Sequence, residues 1–316
     1  MGYVYALCAA LLFGTNGSVT KVIIEAGLEP AQLTLFRVGG TAIIAAVVLL
    51  FLNREAFRVT WRQLGLLSIL GIVGVAMLQY TYAVAISLLP VGITLLIEYT
   101  AVLMVAIVAF FFLHEKVRPR LWVAIGFVLV GLAIVAQIWA SELLPFGVLM
   151  AFAAAICLAL YFLLGEREVG KTSPMAVAFW TMSASAIFWA IFSGWWTIDP
   201  ATFTTPVSMS GNLDELELPL LVPLAWNVVM GSFLPFFLSL LALKHLTATA
   251  AGVVASAEVI FAFIVAWLWL GEVLNLVQVV GAAIVLAGII LAQTARLDKV
   301  VDANLAITAE TTDSLV

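Results

Sequence analysis

The sequence predicts an all-α integral membrane protein of ten transmembrane helices, arranged as two inverted five-helix repeats. Three observations carry that expectation: an apolar composition, a one-sided distribution of basic residues, and an internal duplication at a fixed offset. Of 316 residues, 65% are hydrophobic and 10% charged, and the mean hydropathy is +1.22. Soluble domains hold roughly 45–50% apolar and about 25% charged residues. A surplus of this size has lipid as its natural solvent.

A helix takes about 20 mostly apolar residues to cross the hydrocarbon core. With polar loops and Pro or Gly breaks as boundaries, the runs fall near 3–23, 32–52, 64–86, 91–113, 119–138, 145–164, 174–195, 219–240, 247–270 and 274–294. The first begins Met1-Gly2-Tyr3 with neither a basic leader nor a small-residue cleavage site, so it reads as a retained helix. The joints at Pro90–Gly92 and Lys244–His245 are the shortest and divide spans three from four and eight from nine.

Charge gives an independent check. Arg54, Arg58 and Arg62 follow span two; Lys116, Arg118 and Arg120 follow span four; Arg167 and Lys171 follow span six. Lys244 follows span eight, and Arg296 with Lys299 follows span ten. The alternate loops carry Glu25, Glu29, Glu142, Asp199, Asp214, Glu215, Glu217 and Glu272. Basic residues in short loops mark the cytoplasmic side, so ten spans put both termini in the cytoplasm of a cell membrane, inner or plasma. Trp61, Trp122, Trp139, Trp195, Trp196, Trp267 and Trp269 fall near span ends, as interfacial belts require. The loop near 197–218 has four acids and no base and is expected to be solvated. Cys8 and Cys157 lie in apolar runs and are expected to pack as small hydrophobes. Residues 295–316 are polar, without apolar periodicity, and read as a disordered cytoplasmic tail.

The duplication appears at an offset of 157 residues, where Ala85–Leu89 meets Ala242–Leu246, Phe112–Glu115 meets Trp269–Glu272, and Gly131 meets Gly288. Earlier in each half, Pro30 and Phe36 match Pro174 and Phe179 within a residue. Two units follow, 1–140 and 145–294, and because five spans is an odd number the second must be inverted. Inverted repeats belong to secondary transporters, whose two halves exchange roles between inward-open and outward-open states.

Here the chain resembles the EamA branch of the drug/metabolite transporter superfamily. The likeness covers about 3–294 and rests on the five-plus-five plan, on LTLFRVGGTA at Leu33–Ala42, on Ala85–Trp122, and on Ala242–Glu272. The resemblance implies efflux of small metabolites such as amino acids, with spans one, three, four, six, eight and nine around the substrate and five and ten outside. The family usually carries Pro after the Glu of span nine and often in span four; Val259 and Ala101 stand there instead. Neither acid therefore sits beside a proline that would break its helix.

Ionisable groups at membrane depth cost about 2.5–3.5 kcal/mol each and demand an explanation. Glu98 in span four and Glu258 in span nine are candidates for binding an amino group or carrying a proton, or else for bracing helices. Arg37 reads as snorkelling toward Glu29 or a headgroup, or as an anchor for a substrate carboxylate; Lys21 reads as snorkelling. Gln79 and Tyr82 share a face of span three, Asn16 and Thr20 of span one, and Asn227 and Gly231 of span eight. With Tyr99, Tyr161 and Trp180 they outline a mixed aromatic and polar pocket. Glu115 and Glu272 stand at the start of the following helices, where a carboxylate complements the helix N-terminus. Gly126, Gly131, Gly281 and Gly288 permit close approach of spans five and ten, within the chain or between chains.

Other classes fail for want of motif. There is no phosphate-binding Gly-rich loop, no His-Glu-x-x-His and no Gly-x-Ser-x-Gly, so no enzyme is expected, and no cofactor, metal or nucleic-acid partner. No selectivity-filter-like repeat points to a channel. The reading is a secondary transporter acting on a small molecule within membrane lipid, with protons as candidate coupling ions. The alternative is a non-transporting membrane partner or sensor subunit. Substrate, direction and oligomeric state stay open.

Overall fold

The computed structural model describes residues 1–52, 57–111, 119–135, 143–169, 174–243, 245 and 254–294. Arg54, His114, Glu115, Lys116, Arg118, Trp139, Glu142, Lys171, Lys244, Ala251, Arg296, Lys299 and the tail 295–316 lie outside them. The described chain is helical apart from one small hairpin. Among the described residues, six helices are long and apolar enough to cross a membrane: Gly2–Glu25, Pro30–Phe51, Trp61–Leu88, Pro145–Leu164, Met175–Phe192 and Leu221–Ser239. Four shorter apolar helical stretches accompany them, Val91–Val105, Arg120–Val135, Ala257–Leu270 and Leu276–Ala292. Large apolar side chains such as Ile43, Leu129, Ile187 and Trp267 stand exposed on the bundle surface. In water such a surface would be a liability; it is the surface of a multi-pass membrane protein.

In chain order the helices are α1 (Gly2–Glu25), α2 (Pro30–Leu52), α3 (Trp61–Ile69), α4 (Met77–Leu88), α5 (Val91–Glu98), α6 (Ala101–Phe111) and α7 (Arg120–Val135). Then come α8 (Pro145–Val169), α9 (Pro174–Phe192), α10 (Leu221–Val228), α11 (Leu234–Leu243), α12 (Ala257–Val265) and α13 (Leu276–Gln293). Their ends obey local chemistry. Proline opens α2, α8 and α9, where its missing N–H has no intrahelical partner to lose. Capping boxes open α3 (Thr60 with Gln63) and α13 (Asn275 with Gln278). Between Leu88 and Val91 the chain stops at Pro90, which separates α4 from α5.

Wider π-helical turns replace α-helix at Leu70–Ala76, Val229–Phe233 and Ala266–Leu270. The first joins α3 to α4 and the second joins α10 to α11 into continuous rods. α1 is the hub, packed on α12, α11 and α4, and a Cβ at its Gly14 would meet the backbone of Glu258 and Ala262. α2 pairs with α9, and α4 with α8. α7 and α13 form the most extensive pair among the described residues. Their glycines are used inside the chain: a Cβ at Gly131 would meet Gly281 and Val285, and one at Gly288 would meet Ala124 and Val128. Gly126 faces open space.

The acidic loop between α9 and α10 exposes its four acids, Asp199, Asp214, Glu215 and Glu217, and is also folded. Short 3₁₀ turns at Trp195–Thr197, Pro200–Phe203 and Gly211–Leu213 frame an antiparallel hairpin of β1 (Pro206–Ser208) and β2 (Glu217–Pro219). Phe203 and Val207 pack on a core of Val19, Ile23, Leu28, Leu33, Leu220 and Leu224, so apolar burial holds the loop against the ends of α1, α2 and α10. Of the tryptophans expected at span ends, Trp61, Trp122, Trp195, Trp196 and Trp267 are exposed.

Candidate functional site

Both intramembrane acids stand at helix breaks, although neither has a neighbouring proline. Glu98 is the last residue of α5, and the chain turns at Tyr99–Thr100 before α6 resumes at Ala101. Thr100 helps the break: its backbone N–H and its hydroxyl both donate to the Ile97 carbonyl, at 3.1 and 2.7 Å. Glu258 is the second residue of α12, just after a turn at Ser256. The expectation of unbroken helices at the acids is therefore corrected. The two breaks face each other, because the Tyr99 hydroxyl donates to Glu258 Oε2 at 2.5 Å. Glu98 is 9% exposed, and its Oε2 has no hydrogen-bond partner among the described residues.

Arg37 completes this charged centre. Far from snorkelling toward Glu29, it turns inward: Nε donates to Ser232 Oγ at 2.6 Å and Nη2 to the Gly231 carbonyl at 3.3 Å. The reason lies in the facing rod. Pro235 has no N–H for the carbonyls one turn earlier, and one of these, that of Gly231, accepts from the guanidinium. Arg37, Tyr82, Glu98 and Glu258 lie within electrostatic reach of one another.

One wall of the centre is an amide network. Asn227 Nδ2 donates to Asn16 Oδ1 at 2.8 Å and to Thr20 Oγ1 at 3.1 Å, with all three residues buried. Gly231 lies one turn along from Asn227, and a Cβ there would overlap the Asn16 carboxamide. Gln79 is half-buried, and its Oε1 has no partner among the described residues. Tyr161 and Trp180 sit apart, packed with Leu67, Leu70 and Val177, and the structure does not bring them to the acids. Cys157 is half-buried within electrostatic reach of Glu98, whereas Cys8 is exposed rather than packed inside.

Two pairings escaped sequence reasoning. Lys21 does not snorkel; its Nζ meets Glu272 Oε1 at 2.6 Å. Nor does Glu272 serve the helix that follows it, which Asn275 caps; its Oε2 accepts the Val91 N–H of α5 at 2.9 Å. Sequence spacing holds no signal for that partner, which arrives from 181 residues away. Ser232 was also missed, though Pro235 three residues on marks the freed carbonyl turn.

Residues 1–137 and 145–294 match the EamA-like transporter family. The threonine/homoserine exporter RhtA of Salmonella typhimurium (strain SL1344) is 27% identical over 221 residues, and that of Escherichia coli (strain K12) is 26% identical over the same length. Each alignment takes in 66% of this chain, and the chain spans 65% of the length of these exporters. An uncharacterized transporter of Archaeoglobus fulgidus is 24% identical over 289 residues, 90% of this chain and 93% of its own. A crystal structure of a protein 16% identical to this chain shares its fold, with a TM-score of 0.64 over 92% of this chain and 96% of the other. The chain belongs to the EamA-like transporter family.

Proposed function

We propose that the protein exports small zwitterionic metabolites of the amino-acid class across the cell membrane, by alternating access between two inverted five-helix halves. The observation that carries this reading is that half-buried Arg37 and Glu258 and buried Glu98 lie within electrostatic reach of one another. A free amino acid carries one ammonium and one carboxylate, and a low-dielectric site holding both signs of charge matches it. Glu98, with an oxygen unpartnered among the described residues, receives the ammonium. Arg37 receives the carboxylate, and Asn16, Asn227 and Tyr82 wall the site. Tyr99 holds Glu258 in place. The proton gradient, or exchange, supplies the driving force through the same acids.

Support for two moving halves comes from the polar contacts. Arg37–Ser232, Tyr99–Glu258, Asn16–Asn227 and Lys21–Glu272 each join residues 1–140 to residues 145–294. Shifted by the repeat offset of 157, Leu70–Ala76 lands on Asn227–Phe233, over the second π segment. Broken and widened helices at mid-membrane are where transporters bind and bend. RhtA relatives named for threonine and homoserine export favour that substrate class.

The test is transport of labelled threonine and homoserine into inside-out vesicles holding the purified protein. Uptake above protein-free vesicles is expected, with loss of at least tenfold in Glu98→Gln, about 1.4 kcal/mol. Unchanged transport in the Glu98→Gln, Glu258→Gln double variant removes the acids from the mechanism. Absence of movement for every amino acid tried removes the substrate class.

A further inference from the structure

The geometry points to a latch: Lys21, Glu272 and the first N–H of α5 lock the outer mouth of this transporter shut, and they part when it opens. The inference rests on the alternating-access reading above. Lys21 is near the end of α1, Val91 begins α5, and Glu272 sits in the turn beyond the π segment Ala266–Leu270. One carboxylate serves both partners, Oε1 taking Lys21 Nζ at 2.6 Å and Oε2 taking Val91 N at 2.9 Å. Gly271, with φ +69°, reverses the chain so that Glu272 is aimed back across the bundle. The ion pair is mostly buried, the two side chains being 20% and 14% exposed.

Each tied element also carries a piece of the central site. Asn16 and Thr20 ride on α1 and Glu98 on α5, while Glu258 lies on the helix that runs into Gly271. Glu98 is seven residues along α5 from Val91, about 10 Å deeper at 1.5 Å per residue. The latch thus closes the acidic-loop end directly above the charged centre. Lys21 belongs to one half and Glu272 to the other, so parting of the halves at this end must separate them. A second strut acts beside it: Trp269 Nε1 donates to the Met209 carbonyl at 2.8 Å, and Asn212 Nδ2 to the Leu268 carbonyl at 3.0 Å. These bonds tie the folded acidic loop to the segment that presents Glu272.

The experiment needs no substrate. Full-length protein with Cys8→Ser keeps Cys157 as its sole cysteine, half-buried near Glu98. Intact cells receive a charged, membrane-impermeant maleimide from outside, and labelling is normalised to protein in the membrane. Lys21→Met and Glu272→Gln should each label several-fold faster than the parent, and Lys21→Arg, which keeps the charge, should label at the parental rate. Parental rates in Lys21→Met or Glu272→Gln at normal abundance overturn the latch, as does Lys21→Arg labelling as fast as Lys21→Met. Faster labelling in a protein that moves no amino acid keeps the latch and discards the substrate class. Amino-acid export with unchanged labelling does the reverse.

Discussion

At Gly231 the smallest possible side chain separates a working amide contact from a collision. A Cβ there would overlap Asn16, whose carboxamide oxygen is held by Asn227 at 2.8 Å in a fully buried setting. Gly231→Ala must therefore push Asn16 off its partner or strain the rod that carries Gly231 and Asn227. Overpacking costs about 1–3 kcal/mol, and an orphaned buried amide costs a comparable amount. Gly126→Ala is the matched control, since Gly126 is interior to α7 and faces open space. There the methyl group should add about 0.5–1 kcal/mol of helix stability. Thermal unfolding in detergent is expected to show a lower midpoint for the first variant and an equal or higher one for the second. Equal midpoints in the two would mean that Asn16 has room to move aside. Tyr99 and Glu258 depend on each other in the same way: Tyr99→Phe leaves the carboxyl without its 2.5 Å donor and should lower the midpoint by an amount equivalent to about 1–3 kcal/mol.

Among the elements, the rod running from α10 through Val229–Phe233 to α11 links local chemistry to the site most directly. Pro235 withholds an N–H from the preceding turn, and Arg37 reaches the Gly231 carbonyl. Pro235→Ala restores that N–H and removes a residue about 3 kcal/mol poorer than alanine in a helix interior. The variant should unfold no more easily than the parent, yet export poorly, because the guanidinium then competes with the helix for its own anchor. Export at the parental rate would show that the Ser232 contact alone positions Arg37. Part of this scale was legible beforehand: Pro or Gly breaks bound the apolar runs, and the joint at Pro90–Gly92 does divide α4 from α5. The breaks at Tyr99–Thr100 and Ser256 were not. No residue there forbids a helix, so the sequence reads through them; a tertiary contact, Tyr99 to Glu258, spans the two turns. Lys21–Glu272 was illegible for the same reason. Tyr161 and Trp180 lie on the right kind of helix for a pocket, but face a different apolar cluster. Periodicity assigns a residue to a face, not to the neighbour that face will meet.

For the molecule as a whole, the decisive quantity is the number of crossings, because it sets where each half opens. Basic residues cluster at alternate joints, Arg58 before α3, Arg62 in its first turn and Arg120 at the start of α7, while Asp199, Asp214, Glu215 and Glu217 gather in the folded loop between α9 and α10. Each Lys or Arg carried across the bilayer costs a few kcal/mol. Such a bias is strong enough to fix orientation when loops are short. On the proposed ten-crossing plan, both termini would lie with the basic loops in the cytoplasm and the hairpin of β1 and β2 outside. In a bacterial host, a fluorescent protein fused after residue 294 should fluoresce, and alkaline phosphatase fused there should be inactive. Phosphatase inserted after Asp199 should be active, since that position is exposed in the acidic loop. Activity at both positions would require an even number of crossings between Asp199 and residue 294, where the ten-span plan has three. The two halves would then share one orientation or lack a span, and neither arrangement lets them exchange roles about Arg37, Glu98 and Glu258. Inactivity at both would place the acidic loop in the cytoplasm, with the Lys21–Glu272 pair at the inner mouth instead of the outer one.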